Sequence, residues 1–570
     1  MIWWWLDQNR AKAEKAAFVA LQEEHDWLAS VRTRHLADFQ LCVDVEVTHA
    51  GETFKLAVIY PGTFPDTPPV VMPYGDKRLS SHQYGPGGEL CLQWRPDNWD
   101  PSVTGAMMLE SAYGLIAGER PSDGTSGAVP SEHRSTLAGE LRFETWRLMV
   151  PEGAWRSLDR QLPEAILQIA VTMTVRRTQR VAHLTAIGAT GNEIWKTPRP
   201  APDAPGERVG YLIRTAQNMD SLALHRGGHF NDLSNRIPEL ASLLAGPQLP
   251  FIVLFEQNGR RTAFDIVRRD GQPFFVPYRI IEEQELSKRS ASNRESVSSN
   301  RVAIVGCGSI GSKIAASLAR AGVNKYVLVD EDIFLTGNLV RNELDAWAIG
   351  WHKVDALADR IGQLASNTDI VVHRVELGSQ TSSLMLDSVL EAIGEADFII
   401  DVTADPTSFN LCAGAARRHR KPMIWAEVFG GGIGGLVARS RPDVDPPPLE
   451  ARKQISAWCD DHATPWEFRA GANYDAVGHD EVPFVADDAD VSVIAAHATR
   501  LALDVLQGGE TAFPHSAYMI GLQKAWIFEA PFDTFPIYLA PIGPWQDPRS
   551  TPDTGDIPGL MAEMIDEGAS

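Results

Sequence analysis

Three glycines and two cations in one stretch carry the densest chemistry of the sequence. Gly306, Gly308 and Gly311 lie in RVAIVGCGSIGSK, directly after the apolar run Val302 to Val305. A turn of this spacing between a buried strand and a helix lets the backbone approach a phosphate. The helix N-terminus then offers it unpaired N–H groups and the positive end of the helix dipole. Asp330 ends a second apolar run, Tyr326 to Val329, about 20 residues past the glycines, within reach of ribose hydroxyls. This fingerprint alone leaves NAD, FAD and ATP open. Asn338, Arg341 and Lys353 narrow the choice. A redox domain has no standing need for them. Attack on the α-phosphate of ATP does, because charge builds on phosphoryl oxygens and fixed cations must match it.

Thiols are the second source of chemistry. The chain has five cysteines: Cys42, Cys91, Cys307, Cys412 and Cys459. The number is small and odd and no C-x-x-C pair occurs, which argues against a disulfide framework or a zinc site. Single cysteines in a reducing compartment are buried small hydrophobes or nucleophiles. Cys307, inside the glycine turn, and Cys412, on the apolar face of a helix, read as structural. Cys91 follows Gly87-Gly88. Cys459 stands in AWCDD, where Asp460 and Asp461 would raise its pKa.

The segment from Asp330 resembles the adenylyltransferases that activate ubiquitin-like proteins, including thiamine- and molybdopterin-pathway members. Their pattern is roughly D-x-D-x-V-x-x-S-N-L-x-R-Q, then G-x-x-K. Asp330, Asp332, Asn338, Arg341 and Lys353 fall on matching positions, with Asn342 in place of the Gln. The resemblance implies Asp330 as ribose ligand, Asn338 as ATP contact, and Arg341 and Lys353 as phosphate contacts. It also implies a Mg²⁺ ligand in a D-x-T-D-N segment. Here Asp401-Val402-Thr403-Ala404-Asp405 puts the second acid one residue late, so Asp405 is the expected metal ligand and Asp401 the fallback. In thioester-forming members the acceptor thiol lies on a crossover loop, which makes Cys459 the first candidate. Pro442 to Pro448 is expected to open that loop and to leave it irregular through about Glu481. The glycines of Phe429 to Val437 would let an extended Gly-Gly tail pass close to backbone.

Near the N-terminus, residues 7 to about 36 have helical spacing of Ala11, Phe18, Leu21, Trp27 and Leu28. Alternating strands follow (Leu41, Val43, Val45, Val47; then Leu56, Val58), then the proline-laden loop Tyr60 to Val70. His82-Gln83-Tyr84, Gly87 to Leu92, Trp99-Asp100-Pro101 and a helical run, Gly105 to Ala117, complete the pattern. Residues 10 to 118 resemble the ubiquitin-conjugating fold, with Cys91 on the catalytic position and His82 in a reduced H-P-N triplet. Gly118 to Arg134 is a Gly/Pro/Ser-rich boundary. Residues 135–295 carry no motif. Glu164 to Val175 fits a buried helix or strand, and Asn231 to Leu244 a helix. Pro250 to Phe255 and Thr262 to Val267, about Asn258-Gly259, fit a hairpin, and Phe274 to Val276 a third strand. A helix over Val491 to Leu506 and a hairpin-like segment near Lys524 to Glu529 are expected towards the end.

The expected fold is multidomain, α/β and α+β. A ubiquitin-conjugating-like α+β domain (1–118) and a linker (119–134) precede a middle α+β linking domain (135–295). A Rossmann-like adenylation domain (296–530) and a tail (531–570) follow. A net charge of −22 disfavours nucleic acid and anionic membranes, and no segment reads as transmembrane, so a cytoplasmic protein is expected. The order of parts resembles bacterial fusions of CBASS antiphage operons. That resemblance implies ATP–Mg²⁺-dependent activation of a protein C-terminus, thioester transfer and conjugation to target lysines by a homodimer. The implied acyl donor is a cGAS-like nucleotidyltransferase tail or a ubiquitin-like protein. The alternative is an adenylyltransferase that activates a sulfur carrier without conjugation.

Overall fold

A computed structural model describes residues 2–75, 79–80, 83–84, 88–121, 144–158, 166–197, 207–215, 227–235, 249–256, 261–283, 294–379, 381–463, 486–545 and 557–564, with isolated positions besides. His82, the turn at Asn258-Gly259 and most of the 119–134 linker lie outside the described residues. The chain divides into two compact units, Met1–Glu144 and Thr145–Ser570.

In the first unit the helix Gln8–Glu24 is capped by Asp7, whose carboxylate accepts from Arg10 N at 2.9 Å. It stops at Glu24, not near residue 36. Leu28–His35 is strand β1, the edge of an antiparallel sheet β1-β2-β3-β4 with β2 Leu41–His49, β3 Glu52–Ile59 and β4 Val70–Pro73. Exposed Arg32 and Thr33 give this edge strand no clean alternation, so it continued the helical pattern in the sequence. The inner strands alternate as expected and bury Val43, Val45, Val47, Leu56 and Val58. A short pair, β5 Gln83–Tyr84 and β6 Glu89–Leu90, precedes Cys91, and the helix Gly105–Glu119 follows. Buried Glu14 ties the two helices together. It accepts from Arg10 Nε at 2.8 Å, Tyr60 Oη at 2.6 Å and Gly105 N at 2.7 Å.

The second unit opens with β-structure where a mixed α+β linking domain was expected. Its strands are β7 Trp146–Val150, β8 Leu167–Arg176, β9 Gln179–Ala189, β10 Asn192–Lys196, β11 Glu207–Thr215, β12 Gly228–His229, β13 Phe251–Glu256, β14 Arg261–Arg269 and β15 Gln272–Glu282. They run β9-β7-β15-β14-β13-β11-β8, and β8 pairs back onto β9, so seven strands close into a ring. Leu148, Val171, Leu184, Leu212 and Val253 belong to one buried cluster of this barrel. The hairpin β13–β14 and third strand β15 match expectation, and Glu164 to Val175 resolves into strand β8. Of the helix expected over Asn231 to Leu244, the described part is Phe230–Ser234.

The remainder is a mixed eight-stranded sheet flanked by helices. Its strands are β16 Arg301–Val305, β17 Lys325–Val329, β18 Asp369–His373, β19 Phe398–Asp401, β20 Met423–Phe429, β21 Gly434–Ser440, β22 Ala517–Gly521 and β23 Thr534–Ile537. The order is β18-β17-β16-β19-β20-β21-β22-β23, parallel as far as β20 and antiparallel beyond. The chain crosses from β17–β18 to the other side of β16 to make β19, and this reversal opens a crevice at the carboxyl ends of β16 and β19. Pro442 to Pro448 does not start a long irregular loop. Pro447 caps and Pro448 opens a helix, Pro448–Asp461, because the first helical position needs no N–H donor. Cys459 therefore sits on the last turn of a helix. The rest of the expected loop, from 464 to about 481, lies outside the described residues. The helix expected at Val491 to Leu506 is Asp488–Gln507, and Lys524 to Glu529 lies in the loop joining the antiparallel strands β22 and β23, so the hairpin expected there is present. No helix of the described residues is long and apolar enough to cross a membrane.

Candidate nucleotide and thiol sites

The crevice holds a cavity of about 940 Å³. Gly306, Gly308, Asp330, Asp332, Asn338, Arg341, Lys353 and Asp405 all line it, so the structure gathers these sequence-predicted residues around one space. Gly311 lies below the turn. A Cβ there would stand 1.9 Å from Gly306 O, which is why the helix Ser309–Ala321 can pack this close to the strand end. Gly306, at φ 90°, takes the left-handed conformation that turns the chain from β16 into that helix.

Asp330 is half-buried behind the turn. Its two oxygens accept from Cys307 N at 2.7 Å and Asp332 N at 2.8 Å, so it braces the glycine turn as well as facing the cavity. Burial pushes its pKa up, against Lys353 and these hydrogen bonds. Lys353 is buried at the start of the helix Lys353–Leu364 and its ammonium is held by the Asp332 carboxylate. Asn338 Oδ1 accepts from Leu335 N at 2.8 Å, which fixes the short 3₁₀ turn Thr336–Val340 that ends at Arg341. Asn338 thus positions the arginine-bearing turn besides lining the cavity.

For a divalent cation, Asp405 fits better than Asp401. One Asp405 oxygen accepts from Ser408 N at 2.6 Å, as the cap of the helix Pro406–His419, while the exposed residue lines the cavity. Asp401 is buried. Its Oδ1 accepts from Thr403 N at 3.1 Å and Thr403 Oγ1 at 2.8 Å, and burial pushes its pKa up to about 6. Among the described residues no three acidic, His or Cys side chains converge to chelate a metal. Mg²⁺ needs no such cage when phosphate oxygens and water complete its shell. Glu376, on the same rim, is pushed up by burial and by the charges of Glu331, Asp332 and Asp405, an acidic environment that a cation would relieve.

A second cavity of about 680 Å³ adjoins the first, and Ala404, Asp405 and Glu427 line both. Cys459 lines this second space with Arg452, Phe409 and Trp425. Burial, then Glu427 and Asp460, push the Cys459 thiol up to about 11; the sequence anticipated the acid effect but not that burial leads it. Ala404, at φ 57°, holds a conformation that L side chains rarely adopt, and strain of this kind gathers at functional sites. Glu427 and Arg452 were missed in the sequence. The available signal was a lone acid inside the apolar strand Met423–Phe429.

In the first unit Cys91 is half-buried just after β6. Trp99 Nε1 donates to Pro65 O at 2.7 Å, tying the W-D-P segment to the proline loop. His82 lies outside the described residues. Cys42, Cys307 and Cys412 are buried, and the last two fit the structural reading.

Residues 282–443 match the model of the ThiF family. The uncharacterized protein y4qC of Sinorhizobium fredii is 23% identical over 491 residues, 80% of this chain and 83% of that protein. The "ATP-dependent ubiquitin transferase-like protein Cap2" of Pseudomonas aeruginosa is 26% identical over 172 residues, 29% of each chain. Among solved structures, a crystal structure of E. coli MccB with AMPCPP and MccA is 16% identical. It covers 45% of this chain and 68% of its own, at a TM-score of 0.34. The C-terminal part of this chain thus carries a segment, residues 282–443, that matches the ThiF family, within a mixed α/β sheet flanked by helices.

Proposed function

We propose that this chain is an enzyme that adenylates the C-terminal carboxylate of a partner protein with ATP and Mg²⁺, then carries the acyl group on its own sulfurs. Cys459 takes it as a thioester, Cys91 receives it, and a target lysine accepts it. The donor in this reading is the free tail of a cGAS-like nucleotidyltransferase, in antiphage defence of the CBASS type, or a ubiquitin-like protein. The observation that carries the reading is the common wall: the space lined by the glycine turn, Arg341 and Lys353 adjoins the space lined by Cys459. An acyl-adenylate formed in one would present its carbonyl towards the other.

The helix N-terminus at Gly308 and the cations Arg341 and Lys353 bind the phosphates, Asp330 and Asn338 hold the nucleoside side, and Asp405 holds Mg²⁺. When bound, Mg²⁺ offsets charge on the β- and γ-phosphates. Thioester chemistry divides one hard acyl transfer into easier ones. A helix, a four-stranded antiparallel meander, a thiol and a second helix, in that order, support a conjugating-like role for the first unit. Exposed Ile333, Leu335, Val340 and Trp351 support a homodimer through the adenylation domain, since an apolar surface of this kind favours a protein partner.

The test is incubation with ATP and candidate donors, with adducts resolved before and after reduction. Wild type gives a reducible adduct and a lysine conjugate. Cys459→Ala gives neither, and Cys91→Ala keeps the adduct but loses the conjugate. Lys353→Ala lowers ATP–pyrophosphate exchange by about 100-fold or more, as expected for loss of one charge-stabilising group. Conjugation that survives replacement of both cysteines sinks the reading.

A further inference from the structure

We infer that Glu427 is the proton acceptor for Cys459 in thioester formation, an inference that rests on Cys459 being the acyl-accepting thiol. Glu427 lies in β20 between apolar neighbours and lines both cavities, so it stands on the wall between nucleotide and thiol. Its carboxylate makes no hydrogen bond among the described residues. Glu427 is half-buried, and a carboxylate partly withdrawn from water without a protein donor costs stability. Folding supplies no reason for the acid; the neighbouring thiol does.

The charged groups facing Glu427 are Arg452 from the helix Pro448–Asp461 and Asp401 from β19. Asp405, which starts the next helix, lines the same two cavities, and Asp460 neighbours the thiol. Arg452 is the cation of this set, and its guanidinium lies 4.4 Å from the centre of the Phe409 ring. Burial raises the Glu427 pKa, the Arg452 charge opposes that rise and the Asp401 charge adds to it. A carboxyl balanced in this way can take a proton and release it again.

The thiol needs such a partner. With its pKa pushed up to about 11, only on the order of one Cys459 in 10⁴ is a thiolate at pH 7. As Sγ bonds to the acyl carbon, its proton passes to the Glu427 carboxylate. The bond from that carbon to the phosphate oxygen breaks, and AMP leaves with the electron pair. Glu427 then returns the proton to solvent. His462 is the rival base on the same helix end. Its ring stacks on Trp458 at 4.0 Å between centroids, and Nδ1 lies 2.7 Å from Trp458 O.

The test measures single-turnover thioester formation per adenylate formed, from pH 6 to 10, in wild type, Glu427→Gln, Glu427→Asp, His462→Asn and Cys459→Ala. Glu427→Gln should lose about 100-fold at pH 7, within the range of general-base effects, and recover about tenfold per pH unit as hydroxide replaces it. Glu427→Asp, which keeps the carboxylate, should fall between, and His462→Asn should follow wild type. A Gln variant with the wild-type rate and pH profile overturns the inference. So does a loss that alkaline pH does not restore, or a comparable loss in His462→Asn alone. An adduct that persists in Cys459→Ala instead rejects the thiol assignment under Proposed function.

Discussion

Glu14 in the first unit is a buried carboxylate and Glu427 in the second a half-buried one, and their surroundings differ in kind. Glu14 receives hydrogen bonds from an arginine, a tyrosine and a backbone N–H, and joins two helices through them. Glu427 receives none among the described residues and borders two cavities. An interior charge that is fully partnered contributes to the fold, whereas one without a donor is a cost that only chemistry explains. The contrast separates a structural acid from a working one without reference to any relative.

Glu14→Ala breaks the first half of the comparison most severely. It strands Tyr60 Oη, Gly105 N and the Nε of Arg10, and should cost the first unit about 3–5 kcal/mol, read from its denaturation midpoint. A cost below about 1 kcal/mol would erase the distinction, being what an exposed acid gives. Arg439→Met extends the test to a cation. Arg439 is fully buried, donates to Asp504 Oδ2 at 2.6 Å and lies against Thr511 and Phe513 O, so its removal should cost about 3 kcal/mol. Glu427→Gln has the smallest effect and the opposite sign. A carboxyl whose folded pKa is raised gives the folded state stability at low pH, which is lost as pH rises through that raised value. The Gln variant should therefore be about 1 kcal/mol more stable than wild type at pH 8, the gap closing as pH falls. Thermal melts at two pH values check it.

Much of the C-terminal α/β part was legible because local chemistry repeats local geometry there. Gly306, Gly308 and Gly311 required a tight turn, and the runs around them were too apolar for anything but buried strands. Elsewhere the determinants were non-local. Leu28–His35 is an edge strand with one face in water, so its arginines mimicked a helix face. Strand β11 finds its partners β8 and β13 far along the chain, and the local hairpin β8–β9 turns at Arg177-Thr178 without a glycine or asparagine to mark it, which is why the barrel passed for a mixed domain. Pro448 was taken for a breaker although a proline can equally start a helix. Glu427 was invisible because one acid in an apolar run says nothing until the cavities on either side are known.

Ring closure in the barrel also governs how that part of the chain can come apart. Each of its seven strands is hydrogen-bonded to a neighbour on both sides, so no strand peels away from a free border. Amide hydrogens along β13 and β14 should then exchange together, by cooperative opening, while β10, which lies outside the ring, frays first.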